Sequence, residues 1–317
     1  MTKRFLVLGF VVVSVWYISK CSISEPYIPA ETTEHKAAEK VTDTARATTT
    51  KVPSSHHELN TTSSGYAVEH PNALVQIARP RWRQDDSLLQ SFDALNEQAQ
   101  SGDLVAAYVL GMNLRHCYYV PDDNAALADK LLQASEFKDN GEALADIQQS
   151  YDYCEGVTRS ERNRFYHYLE RAAENGSVPA QEAIAELTPE LYMAANNFAE
   201  LSRDEYVETR QRFVRQQVDF LTSAAQHGSL KALVRLSQLH YAQTLGKDGR
   251  LQAYALNDMI LALADDTELQ NRYRWFQQRA ADDFTNDEIE QAAQMTQQWL
   301  SAIYANGSLY SDENNLQ

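Results

Sequence analysis

The chain has 317 residues, 44% hydrophobic content and a formal charge of −16, with a sequence pI near 4.9. That length accommodates one sizeable folded domain with its own core. So acidic a balance offers no basic face to a phosphate backbone, and nucleic acid is not expected as a partner.

Residues 1–24 read as an export segment. Lys3 and Arg4 precede an apolar run of 14 residues, Phe5 to Ile18, interrupted only by Ser14. Positive charge on the near side keeps the N-terminus cytoplasmic and sends the downstream chain across the membrane. The run is short for a spanning helix of about 20 residues and long enough for a signal-peptide core. Trp16 and Tyr17 suit an interface and Lys20 stands two residues past the end of the run, both of which favour an uncleaved anchor. Cleavage after Ser22-Ile23-Ser24 and lipidation of Cys21 are the alternatives, and all three export the rest.

Residues 25–70 alternate Thr and Ser with Glu, Lys, Ala and Pro, with almost no large apolar side chain. No core can offset the entropy of ordering such a stretch, so it reads as a linker. His56-His57 falls inside it and is expected to be solvated, not a metal site. The folded region, 71–317, begins near Pro71 or Pro80. Arg79, Arg81 and Arg83 flank Trp82 there, either as a segment capping the first unit or as a site for an anionic partner.

From Asp85 onward one pattern recurs around Gly102, Gly176 and Gly228. Seven residues before each glycine stand Leu95, Leu169 and Leu221, and three before it Ala99, Ala173 and Ala225. Four after it come Ala106, Ala180 and Ala232, eight after it Leu110, Ile184 and Leu236, and nine after it Gly111, Ala185 and Ser237. Residues four apart share a helix face, so each glycine separates two helices that each carry one apolar stripe. Glycine is the residue expected to close the first of them in a left-handed conformation. Gly102 and Gly176 lie 74 residues apart, and a degraded copy is expected at the midpoint, Asp139, with Leu132, Ala143, Ile147 and Tyr151 at the repeat offsets. A weaker copy starts at Gln252-Ala253-Tyr254-Ala255-Leu256. Helix–turn–helix units of roughly 37 residues predict an all-α fold, a curved right-handed α-solenoid of stacked antiparallel helix pairs.

Ala172-Ala173-x-x-Gly176-x-x-x-Ala180 and Gly102-Asp103-Leu104-Val105-Ala106-Ala107-Tyr108-Val109-Leu110-Gly111 resemble the Sel-one-like repeats, relatives of the tetratricopeptide repeats. The resemblance runs from about Asp85 to the C-terminus, although the Asp139 copy lacks its glycine and Thr188–Gln217 fits no repeat. It implies an adaptor or scaffold for protein assemblies, often periplasmic, and implies no common ligand.

Further along, Thr188-Pro189, Ser202-Arg203-Asp204-Glu205 and Thr285-Asn286-Asp287-Glu288 are helix starts, the last two with capping-box spacing. The helix after Thr285 carries Ile289, Ala292, Ala293, Thr296, Trp299 and Leu300 on one side and is the expected terminal cap of the solenoid. The tail Ser308–Gln317 is polar and expected to fray.

Motifs for catalysis are missing. Ser135-Glu136-Phe137-Lys138 has the Ser-x-x-Lys spacing of penicillin-recognising enzymes, but Ser-Asp-Asn and Lys-Thr-Gly do not occur. His116, His167, His227 and His240 stand singly, so neither an enzyme, a metal site nor a cofactor is expected.

Cys117 and Cys154 are the two cysteines of the folded region, each seven residues past the core position Leu110 or Ile147. Equal offsets in adjacent stacked units, together with export to an oxidising compartment, predict a disulfide. Such a bridge gathers Tyr118, Tyr119 and Tyr153 into a candidate partner-binding patch, while Tyr151 stands at a core offset. The leading expectation is a periplasmic scaffold, inner-membrane anchored, binding a protein or peptide. A polysaccharide-binding module using exposed tyrosines is the alternative.

Overall fold

Residues 73–137, 140–247 and 249–311 are described by a computed structural model of the chain. The expected export segment, Cys21, the linker and the Asp139 slot lie outside the described residues. No helix among the described residues is long and apolar enough to cross a membrane.

The repeat glycines set the local structure. Helix α1 (Leu88–Gln100) turns into α2 (Leu104–Tyr118), α6 (Phe165–Glu174) into α7 (Val178–Ala185), and α9 (Arg203–Gln226) into α10 (Leu230–Tyr241). Gly102, Gly176 and Gly228 adopt φ of 102°, 91° and 81°. In each turn the glycine N–H donates to the alanine three residues back, at 3.1, 3.1 and 3.0 Å onto Ala99, Ala173 and Ala225. The next N–H, from Asp103, Ser177 or Ser229, reaches back five residues to Gln98, Ala172 or Ala224 at 3.1, 3.0 and 3.0 Å. This pair of bonds is a Schellman closure, available only where the pivot residue tolerates left-handed φ. Asp103 and Ser229 then cap the next helix through their side chains.

The stripes pack as their spacing dictates. Ala99, Ala106, Leu110, Leu169, Ala173, Ala180, Ile184, Leu221, Ala225, Ala232 and Leu236 are all buried, and Leu95 is half-buried against the same core. The stack runs α1–α2–α6–α7–α9–α10, continues through α11 (Gly249–Leu263), and ends on α13 (Asn286–Asn306). The weaker copy at Gln252–Leu256 is the core-facing part of α11. Small residues at the last offset set the helix approach. A Cβ on Gly111 would stand 2.7 Å from Leu169 Cγ and 3.1 Å from the Leu169 backbone nitrogen, so α2 meets α6 closely at that point. At the equivalent offset Ser237 donates a 2.6 Å bond to Asn257 of α11.

The midpoint copy is corrected. Helices α3 (Asn124–Ser135) and α4 (Gly141–Cys154) pack on each other and dock against α1 and α2, while α2 stacks directly on α6. They form an insertion in the stack and not a unit of it. Leu132 is 66% exposed and Ala143 is exposed, so neither plays its expected core role. The offsets imitate a repeat, but α3 ends on right-handed Glu136, without the left-handed glycine that would fold α4 back in register. Accessory helices fill the other intervals: the short α5 (Arg159–Arg162) on α2 and α8 (Pro189–Ala195) on α9, and the longer α12 (Thr267–Ala281) on α11. The expected caps at Thr188, Ser202 and Thr285 all form, the last two as full capping boxes.

The tail is also corrected in part. Ser308–Leu309 forms a short strand, β2, paired in parallel with β1 (Val75–Gln76). Tyr310 continues it onto the Gly228 turn, donating to Gly228 O at 2.9 Å and accepting from Leu230 N at 3.0 Å. The buried residues form two cores, a first mainly from α1, α2, α6 and α7 and a second mainly from α9, α10, α11 and α13. Residues 73–84 run between them, with Leu74 on the second and Trp82 on the first. Arg79 holds them down. Its guanidinium pairs with Glu182 at 2.7 and 2.8 Å, and Glu182, only 3% exposed, also accepts from Ser229. Of the two readings of the arginine cluster, capping describes Arg79 and Trp82; Arg79 faces an internal carboxylate.

Candidate interaction groove

The last turn of α2 carries His116, Cys117, Tyr118 and then Tyr119, and successive residues on a helix point about 100° apart. Cys117 is therefore aimed at α4 while its neighbours look elsewhere. It is bonded to Cys154 across a Cα–Cα distance of 5.5 Å. The partners meet because α4 docks beside α2, not because two equivalent repeats stack.

Arg162 of α5 closes the other side of this junction. It is 2% exposed and donates to the carbonyls of Val157, Val120, Cys154 and Cys117 at 2.8, 2.9, 3.1 and 3.2 Å, with Asp122 at 3.3 Å. Burial pulls its pKa below the ordinary arginine value and Asp122 opposes the shift. The chain end left by α2 is thereby fixed by one covalent bond and one buried cation. Sequence reasoning missed Arg162; its nearest signal is the Thr158–Glu161 capping box that opens α5.

The three candidate tyrosines separate. Tyr119 is 58% exposed. Tyr118 is half-buried, edge-on to Phe165 at 5.5 Å with Arg159 over its ring. Tyr153 is corrected: it is buried, its hydroxyl donating to Asn113 and accepting from Gln84 N–H at 3.1 Å. Arg83 covers its ring at 4.9 Å, so the entry segment occupies the face the patch would have needed. Burial raises its pKa, which keeps the phenol protonated. Tyr151 is buried as well, bonded to Asn124.

Tyr119 lines a groove of about 370 Å3 between the end of α2 and the inserted hairpin. Trp82, Met112, Val120 and Ile147 supply apolar surface, and Arg115, Lys130 and Asp146 supply charge of both signs. His116 also lines it, tilted against Trp82 at 5.6 Å and edge-on to Tyr153 at 5.9 Å. Its Nε2 is buried without a hydrogen-bond partner. Burial first, and the Arg83 cation second, lower its pKa, so the ring is neutral near pH 7. Nothing in the spacing of the lone histidines distinguishes His116; only the fold brings Trp82 and the insertion to it. The Ser135 hydroxyl closes its own helix end by donating to Leu132 O at 2.6 Å, and Lys138 lies outside the described residues. Among the described residues no group of three His, Cys, Asp or Glu side chains is placed to hold a metal ion.

No family model and no curated protein matches the chain. Among solved structures it is similar to a protective antigen present in uropathogenic Escherichia coli strains, which displays an SLR fold. That likeness has 18% sequence identity and a TM-score of 0.27, and covers 69% of this chain and 50% of that one. The chain spans half the length of that structure, and the all-α solenoid rests on its own helices and turns.

Proposed function

We propose that the chain is an exported interaction scaffold whose groove beside the Cys117–Cys154 bond takes a segment of a partner protein in the cell envelope. One observation carries the reading. The groove sets the exposed Tyr119 ring beside the apolar surface of Trp82, Met112, Val120 and Ile147, with Arg115, Lys130 and Asp146 in the same lining. A stiff amphipathic ring beside apolar surface and charges of both signs suits recognition of a peptide segment, which would cover the first and pair with the second. The disulfide supports the compartment, since such bonds persist where the surroundings are oxidising. Of the tyrosines that flank the bridge, only Tyr119 is largely exposed, which favours a protein partner over a glycan stacked on several rings.

Site-specific photo-crosslinking in intact cells tests this. Tyr119→p-benzoylphenylalanine should yield a discrete protein adduct, and the same substitution at Tyr241, 61% exposed on α10, should not. Loss of the adduct in Ile147→Arg would place the contact in the groove. No adduct from position 119, the same adduct from both positions, or a glycan adduct would refute the reading.

A further inference from the structure

Residues 73–84 cross both cores, yet none of them is fully buried. Little apolar area holds them, and the attachment is polar and gathered at two points. At the first, Val75 N–H donates to Gly307 O at 2.9 Å and Ile77 N–H to Leu309 O at 2.8 Å, while the Arg79 guanidinium spans Glu182 and Ser311 O. At the second, Trp82 O accepts from Asn113 at 2.6 Å, Gln84 N–H donates to the Tyr153 hydroxyl, and the Trp82 ring leans on His116.

The surface beneath is polar as well. Glu182, Ser229 and Asn113 lie under the segment, each at most 3% exposed. If the segment lifts, water reaches these groups and replaces the bonds they lose, so departure leaves no buried polar group unpaired. An element with few buried apolar contacts and replaceable hydrogen bonds belongs to the low-stability end of a fold, from which moving parts are drawn. Arg79 and Trp82 stand three residues apart with Pro80 between them. Proline fixes its own φ and holds the residue before it extended, so a displacement at Arg79 passes on to Trp82. Trp82 is in turn a wall of the groove at Tyr119.

We infer that residues 73–84 are a releasable strap: fastened at Arg79 it holds Trp82 in the groove wall, and released there it withdraws Trp82 and leaves the groove incomplete. Partner occupancy and fastening of the strap then favour each other, because coupling between two sites is reciprocal. That last step rests on the function proposed above; the strap itself does not.

Amide hydrogen exchange and hydroxyl-radical footprinting of the full-length oxidised protein read the strap without a partner. Arg79→Gln and, separately, Ile77→Pro loosen the fastening, the second without touching Glu182. Each should speed exchange of the Gln84 amide, at the far anchor, by about fivefold to tenfold, as loss of one or two hydrogen bonds would. Trp82 should be oxidised faster in both, while Trp299 on α13 keeps its parent reactivity. Arg79→Lys keeps the charge without the fork and should fall between parent and Arg79→Gln. In cells, both variants should weaken the adduct from Tyr119→p-benzoylphenylalanine. Exchange that quickens at Val75 alone, with Gln84 and Trp82 as in the parent, would show independent anchors and overturn the inference. An equal rise in oxidation at Trp299 would also overturn it, since the whole fold would then be loosening. Trp82 released with the adduct at full yield would overturn the hold of the strap on the groove. No adduct from the parent protein would refute the proposed function alone, with the strap still decided by Gln84 and Trp82.

Discussion

The stack α6–α7–α9–α10 and the inserted hairpin α3–α4 are both helical, yet they are held by different physics. In the stack, Leu169, Ala173, Ala180, Ile184, Leu221, Ala225 and Ala232 repeat one apolar pattern and are each at most 4% exposed. Left-handed glycines return each helix against its neighbour, and burial does the rest. The hairpin has one buried residue in α3, Leu127, and none in α4 before Tyr151. Its attachment is concentrated at one end, in a disulfide, the Tyr153 hydroxyl bonded to Asn113 and Gln84, and the Arg162 cation on the Cys154 carbonyl. Periodic apolar packing gives a region that any helical segment of matching pattern can extend. Point attachments give a region that stays where it is tied and is free to differ elsewhere, which suits the wall of a groove.

Cutting the tie should have the largest effect. Cys117→Ala with Cys154→Ala opens a link spanning 37 residues of sequence, worth roughly 4 kcal/mol of unfolded-chain entropy. Denaturant titration of the oxidised protein against the double variant measures it. Hydrogen exchange should quicken more in 124–154 than in 178–236, and equal acceleration in both would show the hairpin to be part of the stack.

Within the stack the three glycine turns differ in what covers them. A Cβ on Gly228 would sit 2.1 Å from Ser308 O, against backbone, whereas one on Gly102 meets nothing within 4 Å. Gly102→Ala should therefore cost only the left-handed strain, about 1–2 kcal/mol. Gly228→Ala should cost about 3 kcal/mol, by adding the loss of the strand-like contacts from Ser308 to Tyr310. A smaller cost at Gly228 than at Gly102 would mean that the tail does not hold that turn.

The groove histidine gives the next effect. His116 resists protonation when folded, whereas the unfolded chain takes the proton near its ordinary value of 6.5. The unfolded state then binds more protons at low pH, so stability is full above about pH 6.5 and declines as pH falls through it, by at most about 1.4 kcal/mol per unit. Urea midpoints at about pH 7.5 and pH 5.5 should differ less in His116→Gln than in the parent. His240, shifted the same way by burial in the second core, supplies the part that remains.

The legible part of this fold is the part that repeats. Offsets around Gly102, Gly176 and Gly228 carry the helix pairs and their buried faces, because a stripe of apolar residues leaves a periodic trace. The cysteines are legible as a pair, although they meet through the docking of α4 and not through the stacking of equivalent units. The hairpin misleads because Ile147 and Tyr151 do turn inward at the expected spacing while Leu132 and Ala143 do not. Two-residue strands have no period to detect, and the pairing of Arg79 with Glu182 spans 103 residues, so the closure of the ends is invisible in the sequence. In the groove, Tyr119 is foreshadowed by its place beside Cys117, but Trp82 and His116 meet only in three dimensions.

The smallest effect is the sharpest test of the comparison. Leu132 occupies the position in the hairpin that Leu169 occupies in the stack, seven residues before the turn slot, yet one is 66% exposed and the other fully buried. If the hairpin were a repeat unit, Leu132→Ala would empty a core and cost about 2–5 kcal/mol. On the surface of α3 it removes little buried area and replaces leucine with a slightly better helix former, so the expected change is within about 0.5 kcal/mol. Ala143→Leu, which would overpack a repeat core by about 1–3 kcal/mol, should be equally mild on the exposed start of α4. Both are read from urea midpoints. A cost above about 2 kcal/mol for either would return α3 and α4 to the stack, with Gly111 no longer free to meet Leu169 directly.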